Sequence, residues 1–204
     1  MDGPGAMPHH SIMAHPLVDT SRHPRAGGRA TSRGTAVPSG AWTVDPERST
    51  VGFSVRHLMI TTVRGRFTDF EGALHAVDGR RTRATGAVRV TSIDTGDAVR
   101  DERLLGPEFF NAATSPEIRF VSTSVAPIGD GTLRIAGDLT IKDVTREIEL
   151  RARPVAMAEG EFELHVEGTL GRSDFGIESA QLLEAGISNK VELVLHLALA
   201  RHHQ

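Results

Sequence analysis

What most constrains this chain is an apolar alternation of period two that recurs from residue 41 onward. "LRIAGDLTI" places Leu133, Ile135, Gly137, Leu139 and Ile141 on one face, with Arg134, Asp138 and Thr140 on the other. "EIELRAR" sets Ile148, Leu150 and Ala152 against Glu147, Glu149, Arg151 and Arg153. "EFELHVEGTL" and "KVELVLHLALA" repeat the pattern, with Phe162, Leu164, Val166, Gly168 and Leu170 inward in the first and Val191 to Leu199 in the second. Period two is the signature of a strand with one buried and one solvated face, which belongs to antiparallel sheet.

Further strands are expected at 50–57, about 63–77, 84–93 and 117–126, separated by the turn signals "VDGR", "PIGDGT", "KD" and "AEG". About eight one-faced strands in hairpin order predict an all-β, antiparallel, eight-stranded barrel, because closure also removes the sheet edges. A β-sandwich is the alternative. The interior of such a barrel is just filled by side chains or holds one small ligand, and filled and hollow barrels share the same alternation.

Two inserts break the pattern. "VRDERLLGPEFFNAATSPEIRF" (99–120) opens like a helix at Arg100–Leu105 and carries Phe109 beside Phe110. In a helical turn such neighbours point about 100° apart, so one ring is expected to plug the core and the other to line a pocket or lid. "ESAQLLEAGIS" (178–188) has Leu182, Leu183 and Ala185 at helical spacing, with Gly186 as a stop. Both inserts are expected as short helical pieces at the barrel ends.

Composition changes at Ala41–Trp42. Residues 1–40 hold 5 of the 10 prolines and 6 of the 21 glycines but none of the 8 phenylalanines. Such a segment buries too little apolar surface to offset its ordering entropy. It reads as a disordered extension of 1–40 before a barrel domain of 41–204. No secretory segment or 18-residue apolar run is legible, so the expected location is the cytoplasm and no transmembrane segment is expected. The net charge of -3 gives no reason to expect nucleic acid. The absence of cysteine excludes disulfides, thiolate nucleophiles and thiolate metal ligands.

The chain shows no G-x-S-x-G nucleophile motif, and most of its acids alternate outward; Asp94, Asp101 and Asp174 are exceptions, at strand ends or in inserts. His57 continues the inward face of Val51, Phe53 and Val55, near one end of the interior. It reads as a hydrogen-bonded core histidine or as a contact to a ligand head. His165 and His196 fall on outer faces, and no rigid element carries two histidines at ligand spacing. Neither a metal site nor a cofactor is expected.

Four segments in order carry a resemblance: "WTVDPERSTVGFSVRHLMITTVRGRFTDFEG" (42–72), "SIDTGDAVRDERLLGPEFFNAATSPEIRF" (92–120), "GDLTIKDVTREIEL" (137–150) and "RSDFGIE" (172–178). With these the chain resembles the YceI-like family of lipocalin-like, polyisoprenoid-binding proteins, from about Trp42 to Leu199. The resemblance implies an extended eight-stranded barrel whose tunnel takes a long apolar ligand: a polyisoprenoid, an isoprenoid quinone or a fatty-acyl-type lipid. It implies a binder or carrier rather than an enzyme. The family's R-D-x-H-L pattern reads Arg100-Asp101-Glu102-Arg103-Leu104 here. If Arg103 meets the ligand head, its permanently charged fork favours an anionic one.

The expected ligand contacts are Phe53, His57, Arg100, Asp101, Arg103, Phe109, Phe110, Phe120 and Phe175. Two other functions stay open: an enzyme of isoprenoid or quinone metabolism using the same pocket, and a filled-barrel interaction or stress protein. A homodimer is compatible with the sequence, although no residue points to it.

Overall fold

The computed structural model describes residues 37–58, 60–77, 81–178 and 185–201. The expected disordered extension up to residue 36, and the core of the expected 178–188 helix, lie outside the described residues. The strands are β1 Gly40–Val44, β2 Thr50–His57, β3 Thr61–Phe67, β4 Phe70–Val77, β5 Arg81–Arg89 and β6 Ile93–Asp94. After helix α1, Ala98–Leu104, follow β7 Glu117–Gly129, β8 Thr132–Ile141, β9 Val144–Ala158, β10 Glu161–Gly171 and β11 Ile187–Arg201.

A ring β1-β4-β5-β7-β8-β9-β10-β11 closes through the pairing of β1 with β11. All its pairings are antiparallel. β2 and β3 prolong β1 and β4, since β2 also pairs with β11 and β3 with β2. The result is the eight-stranded up-and-down barrel that the alternation predicts. Its clearest strand is β8, where Leu133, Ile135, Gly137, Leu139 and Ile141 are all buried and Arg134 and Asp138 exposed.

Hairpin order sends successive connections to opposite ends. The connections after β3's partner β2, after β5, after β8 and after β10 therefore share one end. That end receives both long inserts: residues 90–116, with α1, and the segment after Gly171, with the 3-10 helix Arg172–Phe175. The other end carries tight turns. Asp130 and Gly131, with φ of 50° and 71°, close the β7–β8 hairpin with the two positive-φ residues its twist requires.

Two apolar clusters cap the barrel. At the tight-turn end Trp42 (3% exposed) stacks edge-on against Phe162, ring centroids 4.8 Å apart. Its Nε1 donates to the carbonyl of Pro38 at 2.9 Å, and Arg201 stacks 5.2 Å from its ring. Val37 is buried in this cluster, so packed chain begins upstream of residue 41. At the insert end Phe67, Val90, Ile93, Phe109, Ile118, Phe175 and Ile177 form the second cluster.

Candidate functional site: an apolar chamber with a polar mouth

Between the two clusters the barrel is hollow. A cavity of about 490 Å³ runs along the interior, within the range of about 300–1,000 Å³ usual for small-molecule sites. Val191, Leu193, Leu195, Leu197 and Leu199 of β11 form one wall. The first four are only half-buried because their inner surface faces the void. Phe53, Val55, Phe120, Ile135 and Leu150 line other walls.

Glycines at inward positions make the room. Gly72 and Gly86 oppose each other on β4 and β5, so both strands expose backbone to the chamber there. A methyl on Gly65 would strike the ring of Phe53, one on Gly137 the ring of Phe120, and one on Gly168 the side chain of Leu150. Each glycine thus lets a large neighbour fold flat against the wall instead of projecting into the lumen.

Charged and hydroxyl side chains on the lining are few: Glu71, Thr85, Thr95, Arg100, Arg103 and Arg172. Thr95, Arg100, Arg103 and Arg172 belong to the two long inserts and share the insert end. Arg172 is only 7% exposed. Its Nη1 donates to the carbonyl of Ile177 at 2.6 Å, its Nε to Ser188 at 3.2 Å and its Nη2 to Ile187 at 3.4 Å. The guanidinium thereby ties the 3-10 helix to the start of β11. Among the described residues no carboxylate lies within ion-pair distance of it.

The "VRDERLL" insert is fixed by its own polar residues. Asp97 caps α1 by accepting from the amides of Val99 and Arg100, both at 3.1 Å. Asp101 accepts from the Thr95 amide at 3.0 Å and the Thr95 hydroxyl at 2.5 Å. Arg100 donates from Nε to the Thr95 hydroxyl at 2.7 Å and from Nη2 to its carbonyl at 3.0 Å. Arg100 and Asp101 together clamp the helix onto the chain leaving β6. Arg103 lies over the ring of Phe109, its Cζ 5.7 Å from the centroid.

Phe109 and Phe110 both line the chamber, so neither ring is a plug removed from it. Phe109 is almost wholly buried in the capping cluster. Phe110 meets Phe67 edge-on at 6.3 Å, and Phe67 meets Phe53 at 5.6 Å. This aromatic row runs from the insert down the wall. The turn that presents it ends at Asn111, in the left-handed region with φ 52°, where its amide returns to the carbonyl of Gly106 at 2.9 Å.

Six expected contact residues therefore gather on one chamber: Phe53, Arg100, Arg103, Phe109, Phe110 and Phe120. Three do not line it. His57 has the inward parity that the alternation gave it, but β2 ends there at the rim, and its carbonyl accepts from Ile60 and Thr61 in the turn. The Asp101 carboxylate is spent on Thr95. Phe175 (1% exposed) is sealed beneath the 3-10 helix. Sequence reasoning missed Arg172 and Thr95. "RSDFGIE" contained the first, yet a charged residue one step past a strand gave no sign of turning inward.

The class defined by these features is a hollow, apolar-lined β-barrel whose charged lining side chains lie mostly at one end. The chain belongs to the YceI-like family, whose YceI-like domain model matches residues 42–199. A UPF0312 protein of Shewanella denitrificans is 33% identical over 173 residues, covering 79% of this chain and 88% of that protein. The crystal structure of BcnA from Burkholderia cenocepacia superposes with a TM-score of 0.71 at 23% identity, over 76% of this chain and 98% of that one. A polyisoprenoid binding domain from Saccharophagus degradans, implicated in plant cell wall breakdown, matches with a TM-score of 0.63 at 17% identity. That match covers 79% of this chain and 98% of the domain. No helix among the described residues is long and apolar enough to cross a membrane.

Proposed function

We propose that the chain binds and carries a long apolar ligand of the polyisoprenoid, isoprenoid-quinone or fatty-acyl kind, without chemical turnover. The observation that carries this reading is the chamber itself. The chamber, about 490 Å³, is lined almost wholly by apolar side chains and lies within the size range of small-molecule sites. An apolar wall offers water few partners, so a lipid tail is the occupant that fits it, gaining about 0.8 kcal/mol per buried methylene. The description of the Saccharophagus relative as a polyisoprenoid binding domain supports the same class of guest.

The tail runs along Phe53, Phe120 and the β11 leucines, and the head stays at the mouth beside Arg100, Arg103 and Arg172. Three guanidiniums favour an anionic or strongly hydrogen-bond-accepting head. The test is titration of delipidated full-length protein with a prenol and with the matching prenyl pyrophosphate. Both bind, the pyrophosphate more tightly, and Arg103→Ala narrows the gap. Failure of both lipids to bind overturns the reading. Equal binding of the two by the unaltered protein overturns only the head-group assignment.

A further inference from the structure

On the outer wall, far from the polar mouth, β10 and β11 place His165 directly opposite His196. Their Nδ1 atoms are 3.3 Å apart and their ring centroids 4.5 Å. His165 Nε2 lies 3.0 Å from a carboxylate oxygen of Glu167. The carboxylate accepts a hydrogen bond from Nε2–H, the tautomer of neutral His165 that leaves Nδ1 bare. That lone pair faces His196 Nδ1, and only one proton bridges the two rings. Neither histidine belongs to the chamber, and nothing in the lipid-binding reading uses them.

We propose that this pair is a surface site for a borderline divalent transition-metal ion, with zinc as its type ligand. The cation replaces the bridging proton, and His196 carries its N–H at Nε2 instead, exchanged through solvent. Two bonds of about 2.0–2.1 Å spanning the 3.3 Å gap would meet at about 104–111°, near the tetrahedral value, once the rings, whose centroids lie 4.5 Å apart, turn to aim both nitrogens at the ion. Glu167 is then the outer carboxylate that orients a metal-bound imidazole. His165 is 25% exposed, Glu167 62% and His196 exposed, so water reaches the remaining positions. No third ligand from the chain stands around the point among the described residues, which makes this an exchangeable site rather than a closed structural one. The other groups facing it are Arg153, paired with His165, Arg151, paired with Glu167, and Thr50, paired with His196. Both guanidiniums weaken cation binding and Glu167 counters them.

The site exists only when the two strands are paired, which separates it from the terminal pairs His9–His10 and His202–His203. An ion that binds the folded state alone raises the unfolding temperature with concentration. The experiment is thermal unfolding of the full-length chain over a series of zinc chloride concentrations, with isothermal titration beside it. Zinc raises the midpoint of the wild type and of a variant carrying His9→Ala, His10→Ala, His202→Ala and His203→Ala. The rise disappears in His165→Asn and in His196→Asn, both outer-face changes that leave the core intact. Glu167→Gln weakens zinc binding by about tenfold or more. No rise in the wild type, or an equal rise in His196→Asn, overturns the proposal.

Discussion

The phenyl ring of Phe53 on β2 lies flat across Gly65, its cross-strand partner on β3. The Phe120 ring covers Gly137 on β8 in a similar way, but diagonally, since Phe120 itself pairs with Leu139 and Gly137 with Ser122. Missing side chains on one strand give the rings of the next a place to lie, and the chamber stays open. Hollowness is thus written into pairs of residues.

Restoring a side chain at these two glycines has different consequences. At Gly65 the three atoms nearest a new methyl all belong to the Phe53 ring, Cζ first and Cε1 at 2.8 Å. Gly65→Ala therefore swings the ring into the lumen, leaving the fold intact and reducing lipid uptake. At Gly137 the methyl also comes within 2.6 Å of the Val121 carbonyl, which cannot yield. Gly137→Ala should destabilise by about 1–3 kcal/mol. Denaturant unfolding and lipid-binding stoichiometry on both variants check this contrast. Equal loss of stability in the two would contradict it.

Arg172 tests the insert end. Replacing it with Met preserves bulk but leaves the carbonyls of Ile177, Ile187 and Ser188 without their donor. A loss on the order of 3 kcal/mol follows. Arg172→Lys should recover only part, because a point cation does not span three carbonyls as the planar fork does. Urea midpoints for the two variants provide the measurement.

Thr95 is the peg that holds α1. Thr95→Val removes the hydroxyl that donates to Asp101 and accepts from Arg100. The expected cost is about 1–2 kcal/mol, concentrated on the insert. Amide exchange should accelerate in α1 while β8 and β10 stay protected, and bound lipid should leave faster. Unchanged exchange in α1 would show that the clamp is idle.

Acid should weaken the barrel through Glu117. Its carboxylate accepts from Arg119 Nε at 2.7 Å and pairs with Arg89 across the strand at 2.5 Å. The Arg119 hydrogen bond, then the charges of Arg119 and Arg89, hold its pKa below the usual carboxylate value. A carboxylate whose folded pKa is lowered contributes stability above its unfolded pKa and loses it as pH falls through the folded one. Glu117→Gln should therefore be less stable than the wild type at neutral pH and converge with it in acid. A pH series of unfolding midpoints checks the sign, and added salt should shrink the gap.

The barrel was legible because one-faced strands announce themselves twice, in their alternation and in the turns between them. Leu133 to Ile141 came out as read. His57 shows the limit of parity: alternation assigns a face but does not say where a strand meets its rim. The hollow interior was legible in part, since Gly137 and Gly168 already stood on inward faces. What they meant depended on Phe120 and Leu150 lying over them, a cross-strand fact. Register hid the His165–His196 pair in the same way, for spacing along one element says nothing about a partner 31 residues on. Arg172 stayed hidden because its burial rests on three backbone carbonyls, which leave no mark in a sequence.

The most direct test of the central claim is native mass spectrometry of the purified full-length protein, followed by organic extraction. The account predicts a complex heavier than the chain by a defined mass, released on extraction as an apolar lipid and restored by incubation with prenyl lipids. A spectrum of bare protein that remains bare after that incubation would contradict it.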